Sequence, residues 1–225
     1  MAGYREHITV SGVLGVCIGT VAVYGFGFSY AQGALAAVLA WVSGMLPDLD
    51  SSSGRPVREV FSLLAAAAPL LLLQRLLEWT HSSDEVLLGI IFIYAAVRYG
   101  GAYLVCHMSV HRGMFHSIPA ALIAALTVFL CYKADNMAAK VLMGAAAGLG
   151  YASHLVLDEI YSVEWTGVRL KLNQFAGSAL KFFSSSVYAN LFTYCLLSIL
   201  IYFTLIQLEV IHPAVTFQPL PQKPF

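Results

Sequence analysis

Charge is what this chain has least of. Of its 225 residues, 11% are Asp, Glu, Lys or Arg, against about 25% in an ordinary soluble domain. So little polar surface cannot coat a water-soluble globule, and an integral membrane protein is expected instead. The charges that are present balance at 12 basic and 12 acidic side chains. No basic stripe is available to neutralise a phosphate backbone, so nucleic acid is not an expected partner. Cysteine is scarce as well. Cys17, Cys106, Cys131 and Cys195 lie in or at the ends of apolar runs, at irregular spacing. They read as small buried hydrophobes and indicate neither a disulfide framework nor a Cys-based zinc site. No internal repeat is apparent.

What the chain has in abundance is apolar sequence, 59% of residues with a mean hydropathy of +0.77. Runs long enough to span or nearly span a bilayer lie at about 10–28, 30–46, 60–77, 85–106, 118–132, 138–157 and 187–208. A span takes about 20 helical residues. The second and fifth runs are short enough to be partly re-entrant. The expected fold is all-α, a polytopic membrane helix bundle of about seven spans, with six as the alternative. Arg5 and the run from Ile8 to Tyr30 have the outline of a signal peptide, but the run is too long for one and leads straight into further apolar sequence. It reads as a retained first span. Residues 1–211 read as a single membrane-embedded helical domain, and 212–225, with four prolines, as a flexible tail.

Against this background four polar clusters stand out: His7; Pro47-Asp48-Leu49-Asp50; His111-Arg112-Gly113-Met114-Phe115-His116-Ser117; and His154-Leu155-Val156-Leu157-Asp158. Tracing the spans from His7, with each crossing reversing the side, returns every cluster to the same face. The clusters played no part in choosing the spans, so their coincidence points to one shared metal site. That near face carries Arg5, Arg55, Arg58, Arg112, Arg169, Lys171 and Lys181; the far side carries Arg75, Lys133, Lys140 and Lys223. The excess favours a cytoplasmic near face, with the N-terminus in the cytoplasm and the C-terminus expected on the opposite side of the membrane.

His154 and Asp158, four residues apart, share one face of a helix. Imidazole and carboxylate together suit zinc, manganese or iron; the plainer alternative is a His–Asp hydrogen bond closing a helix end. Ionisable groups are costly within a span, which favours function. His111 and His116 lie about 140° apart round a helix and converge only if the chain turns between them. Gly113 offers that turn. His107 reads as interfacial. Asp48 and Asp50 follow Pro47, and a carboxylate pair two apart can bridge cations, although Asp is common in helix-ending turns anyway. His7 alone would pass for an interfacial histidine. His81 and His212 fall on the far side, where no role is expected.

The order of these motifs resembles that of the YdjM-type family of membrane-bound metal-dependent hydrolases. An N-terminal His is followed by Leu46-Pro47-Asp48-Leu49-Asp50, by His111-Arg112-Gly113-x-x-His116-Ser117, and by Gly150-Tyr151-x-Ser153-His154-Leu155-x-x-Asp158, over residues 1–165. The His-Arg-Gly block is the most specific; Phe115 stands where Thr is common. Through a distant similarity to zinc-dependent phospholipase C, the resemblance implies that His7, Asp48, His111, His116, His154 and Asp158 ligate two or three zinc ions, with manganese the alternative metal. It implies hydrolysis of a phosphoester, with membrane lipids among the partners and a lipid among the candidate substrates. Arg112 would clamp phosphate or anchor the span end. Asp50 would be a further ligand or the general base. The loop Tyr161–Lys171, with Trp165, would be an interfacial lid or an inert connector. A metal-ion carrier and a non-catalytic scaffold are the readings to set against the hydrolase; a carrier would place its polar groups near the bilayer midplane.

Overall fold

A computed structural model describes residues 3–50, 54–103, 114–166, 169–172 and 180–211. Each of the seven apolar runs is helical. In chain order the helices are α1 (Tyr4–Phe26), α2 (Tyr30–Ser43), α3 (Gly54–Leu71), α4 (Leu73–Trp79), α5 (Ser83–Ala95), α6 (Ile118–Cys131), α7 (Met137–Ile160) and α8 (Val187–Gln207). A 3-10 turn covers Pro47–Asp50, and α5 runs on through a π-helical stretch, Ala96–Gly101.

Local chemistry sets the helix ends. α1 stops at Gly27, which takes the left-handed conformation (φ 73°) and turns its N–H back onto the carbonyls of Ala22 and Val23. Two residues later α2 begins with a capping box: the Ser29 hydroxyl accepts from the Gln32 N–H, and the Gln32 side chain accepts from the Ser29 N–H. α1 and α2 therefore form a tight antiparallel hairpin. At the same end of the molecule Arg75 of α4 donates to the carbonyls of Leu130 and Cys131, closing the last turn of α6.

The centre of the bundle is α1, α2 and α7. The buried face of α1 is His7, Ser11, Gly15, Gly19 and Ala22, a stripe of mostly small residues. Such stripes let helix backbones approach closely in a membrane, where burying apolar surface gives little driving force between helices. Gly150 on α7 is in the same position: a side chain there would run into the backbone of Ala40 on α2. Ala36, Leu39, Ala40, Met143 and Ala146 fill the resulting α2–α7 seam. A second cluster, Val42, Met45, Val60 and Phe61, joins α2 to α3. α6 packs on α7, and α8 lies outside α6.

Among the described residues, fewer helices reach full span length than the seven runs that hydropathy suggests. Tyr4–Phe26, Met137–Ile160 and Val187–Gln207 are long and apolar enough to cross a membrane; Glu59–Leu71 with Leu73–Trp79 makes a fourth if that pair, bent by 50° just past Pro69, is one span. α2 and α6 have 14 residues each, about 21 Å of helix against a core of about 30 Å. Seven full spans are therefore not what the helix lengths show. The apolar run at 30–46 overstates its helix because Gly44, Met45 and Leu46 already belong to the turn beyond α2. The outer surface is apolar where it would meet lipid. α5 has no buried residue, and on α8 Leu191, Phe192, Ile199 and Phe203 are exposed. A patch of this kind marks an interaction surface in water and is ordinary in a bilayer.

Among the described residues one connection contains β-strands. Val163–Thr166 and Arg169–Leu172 pair as an antiparallel hairpin, Val163 opposite Leu172 and Thr166 opposite Arg169. The Tyr161–Lys171 connector is thus built largely as a β-hairpin.

Candidate metal centre

Each residue of the centre stands at the end of a helix. His7 lies in the first turns of α1, and Asp48 in the turn that follows α2. His116 precedes α6, whose start is fixed by Ser117: its hydroxyl accepts from the Ala120 N–H, and Pro119 occupies the first turn. The same hydroxyl donates to the Met114 carbonyl, and the Tyr151 hydroxyl donates to the Phe115 carbonyl. Those bonds hold the turn carrying His116 against α7. His154 and Asp158 are the last members of the buried stripe of α7, after Met143, Ala147, Gly150 and Tyr151. The helical period that packs α7 also delivers these two side chains to the interior.

The residues meet. His7 Nε2 lies 3.3 Å from Asp158 Oδ1, while His116 Nε2 and His154 Nε2 each lie 3.6 Å from Asp158 Oδ2. His154 Nε2 is also 3.7 Å from Asp48 Oδ1. The His7 and His154 rings stack at 3.6 Å, and the His116 ring stands edge-on to His154 at 5.6 Å. Exposure is 3% for His7, 6% for His116, 1% for His154 and 4% for Asp158, so water does not solvate this cluster. The His154 ring is oriented from behind, with Nδ1 2.8 Å from the Gly44 carbonyl. The N–H of Nδ1 donates there, which leaves the Nε2 lone pair facing the cluster.

Gly44 is itself wedged between helices. A Cβ on it would collide with Ser11 on α1 and come within 3.2 Å of the Gly150 carbonyl on α7. The carbonyl that aims His154 is therefore located by the closest contact of α1, α2 and α7.

Two observations test whether a cation fits. His7 Nδ1, His154 Nε2 and both Asp158 oxygens are buried without a hydrogen-bond partner among the described residues. A buried carboxylate with no donors costs several kcal/mol unless a cation compensates it. The spacing agrees. Charge-assisted N–H···O contacts close to about 2.7–2.9 Å, whereas ligands about 2.1 Å from a tetrahedral ion stand about 3.4 Å apart. The contacts at 3.3–3.7 Å match the second pattern. Two overlapping groups, His7–His154–Asp158 and Asp48–His116–His154, each bring their ligand atoms within 4.8 Å of one another. These buried His and Asp groups can hold a metal ion.

Of the residues singled out in the sequence, His7, Asp48, His116, His154 and Asp158 come together. His107, His111, Arg112 and Gly113 lie outside the described residues, as do the side chains of Asp50 and Trp165 and the tail containing His212. His81 is exposed between α4 and α5, away from the centre's helix ends. No sequence signal marks Gly44 as the support for His154. Tyr151 did carry a signal, since it lies three residues before His154 and so shares its helix face.

Comparison with known families gives one result. The model of a family described as YdjM inner membrane protein matches residues 1–209, nearly the whole chain, and the chain belongs to that family. No curated protein and no solved structure matches it.

Proposed function

We propose that this YdjM-family membrane protein is a metal-dependent hydrolase of phosphoesters with its centre at the cytoplasmic face of the inner membrane. The observation that carries the reading is the buried His–Asp cluster, in which His154 Nε2 and both Asp158 oxygens lack a hydrogen-bond partner among the described residues and the ligand atoms stand at the spacing of metal ligands.

His7, Asp48, His116, His154 and Asp158 would hold the metal, with His111 completing the set. Zinc is the first candidate for a donor set of imidazoles and carboxylates, in two or three ions, with manganese the alternative. A bound divalent ion supplies Lewis acidity toward a phosphoryl oxygen and makes water nucleophilic near neutral pH. The chain supplies the rest. Gly44 fixes the His154 ring so that its Nε2 always faces inward. Tyr151, through Phe115, holds the turn that presents His116. Asp50 is assigned as the proton acceptor for the attacking water or as a further ligand. Arg112 is assigned to the phosphate, because guanidinium pairs with two phosphate oxygens at once. The cytoplasmic orientation is supported by the excess of Arg and Lys on the near face.

The position of the cluster favours hydrolysis over transport. A carrier places its polar groups at the bilayer midplane, on broken helices. Here His7, Asp48, His116, His154 and Asp158 each sit at or just beyond a helix end. The test is metal analysis of the detergent-purified protein with the His154→Ala and His111→Ala variants, followed by assay against a panel of phosphoesters with zinc or manganese. Metal content equal in all three proteins sinks the metal centre. Full metal loading with no turnover across the panel sinks the hydrolase.

A further inference from the structure

A second concavity adjoins the metal centre. A cavity of about 440 Å³ opens between α1, the end of α2 and α3, within the size range of small-molecule sites. Its walls are Ile8, Trp41, Met45 and Leu63, and its polar groups are Tyr4, Glu59 and Ser62. Tyr4 precedes Ile8 by one turn of α1, and Glu59 precedes Leu63 by one turn of α3, so on each of these two helices the polar residue lies nearer the helix start. The Tyr4 hydroxyl donates to Glu59 Oε2 at 2.9 Å across the mouth.

The polar end lies near the metal centre. Tyr4 stands one turn before His7 on the same helix and within electrostatic reach of Asp48. Met45 follows Gly44, whose carbonyl orients His154. Trp41, partly exposed and laid against Gly12, stands two residues before the end of α2. An indole near the end of a membrane helix belongs at headgroup depth. A polar mouth near the metal ligands and apolar walls describe an amphiphile bound by both ends. A water-soluble phosphoester would leave the apolar walls unused.

We infer that this cavity seats an alkyl chain of a bilayer phospholipid and presents its phosphate to the metal centre, which makes the substrate of the hydrolase a lipid phosphoester. The substrate half of this assignment rests on the hydrolase reading; the lipid seat does not. Hydrolysis of such a lipid adds one water across a P–O ester bond, the oxygen to phosphorus and a proton to the departing alcohol, and needs no other reactant.

The seat is tested by fluorescence. Trp79→Phe with Trp165→Phe leaves Trp41 as the remaining tryptophan of the three. In bilayers containing phospholipid brominated along its acyl chains, Trp41 quenching should rise ahead of the bulk mole fraction and saturate. Leu63→Phe, which narrows the cavity, should bring it closer to simple proportionality. Quenching proportional to bulk lipid in both proteins overturns the seat. Native mass spectrometry of the unmodified chain is an independent check: retained phospholipid is expected, reduced about tenfold in affinity by Leu63→Phe, and a lipid-free spectrum overturns the proposal. The metal-loaded wild type is then given phospholipid vesicles and 4-nitrophenyl phosphate side by side. Cleavage of the vesicle lipid supports the substrate assignment, and cleavage of the soluble ester alone overturns it. Cleavage of neither, with lipid still seated, removes the hydrolase reading and the substrate half while leaving the seat in place.

Discussion

The two ends of the helix bundle treat their polar groups differently. At the far end Arg75 donates to the last carbonyls of α6, Lys133 pairs with Glu78, and Asn136 and Ser82 cap α7 and α5. Each of these is the ordinary repair of a helix terminus, whose unpaired N–H and C=O groups need partners. At the near end His7, His154 and Asp158 are more deeply buried, yet Nδ1 of His7, Nε2 of His154 and both Asp158 oxygens have no hydrogen-bond partner among the described residues. Stability alone would favour apolar residues there, since taking a carboxylate and imidazoles out of water is costly. The difference teaches that polarity at a span end is not itself a sign of function. Unsatisfied, convergent lone pairs are.

The largest effect that can break or sharpen this contrast is expected from Asp158→Asn. It keeps the shape of the side chain and removes the charge facing three imidazoles, so bound metal should fall by more than about 100-fold in chelator competition, beyond the range for outer-shell changes. Retained affinity would make the near end as structural as the far end. Gly44→Ala comes next. The added methyl pushes α1 from α2 and displaces the carbonyl behind His154, and an affinity loss of about 10–100-fold is expected, with the circular dichroism of the helices preserved.

Tyr151→Phe removes only the hydroxyl bonded to Phe115, and a loss of about tenfold or less, on the order of 1 kcal/mol, is expected. At the far end Arg75→Ala should lower thermal stability by about 1–3 kcal/mol while leaving metal content at the wild-type value. Metal loss in that variant would show the two ends to be coupled. The smallest effect is expected from His81→Ala, with stability and metal content both unchanged.

A good part of this was legible in the sequence. His154 and Asp158 were paired by helical spacing, and the structure puts them on the buried stripe of α7. The four polar clusters were assigned one face from span alternation, and their described members meet there although fewer than seven helices are long enough to cross. Alternation depends on where segments begin and end, and less on whether each is a complete span. The hairpin at Val163–Leu172 had a signal that hydropathy obscured: apolar and polar residues alternate on both sides of Gly167-Val168, a two-residue connection with Gly first. His7 had almost none, because a single histidine near a helix start looks the same whether it meets lipid headgroups or a carboxylate.

By itself the sequence determined the membrane environment, the helical segments and the placing of ionisable groups at helix ends. Those properties are local: hydropathy sums over a window, and the 3.6-residue period fixes which side chains share a face. Tertiary structure decided which faces meet. The approach of α1, α2 and α7 through Ser11, Gly44 and Gly150 brings His7 to Asp158 and sets the Gly44 carbonyl behind His154. That approach depends on the fit of small residues far apart in the chain, and no local window contains it.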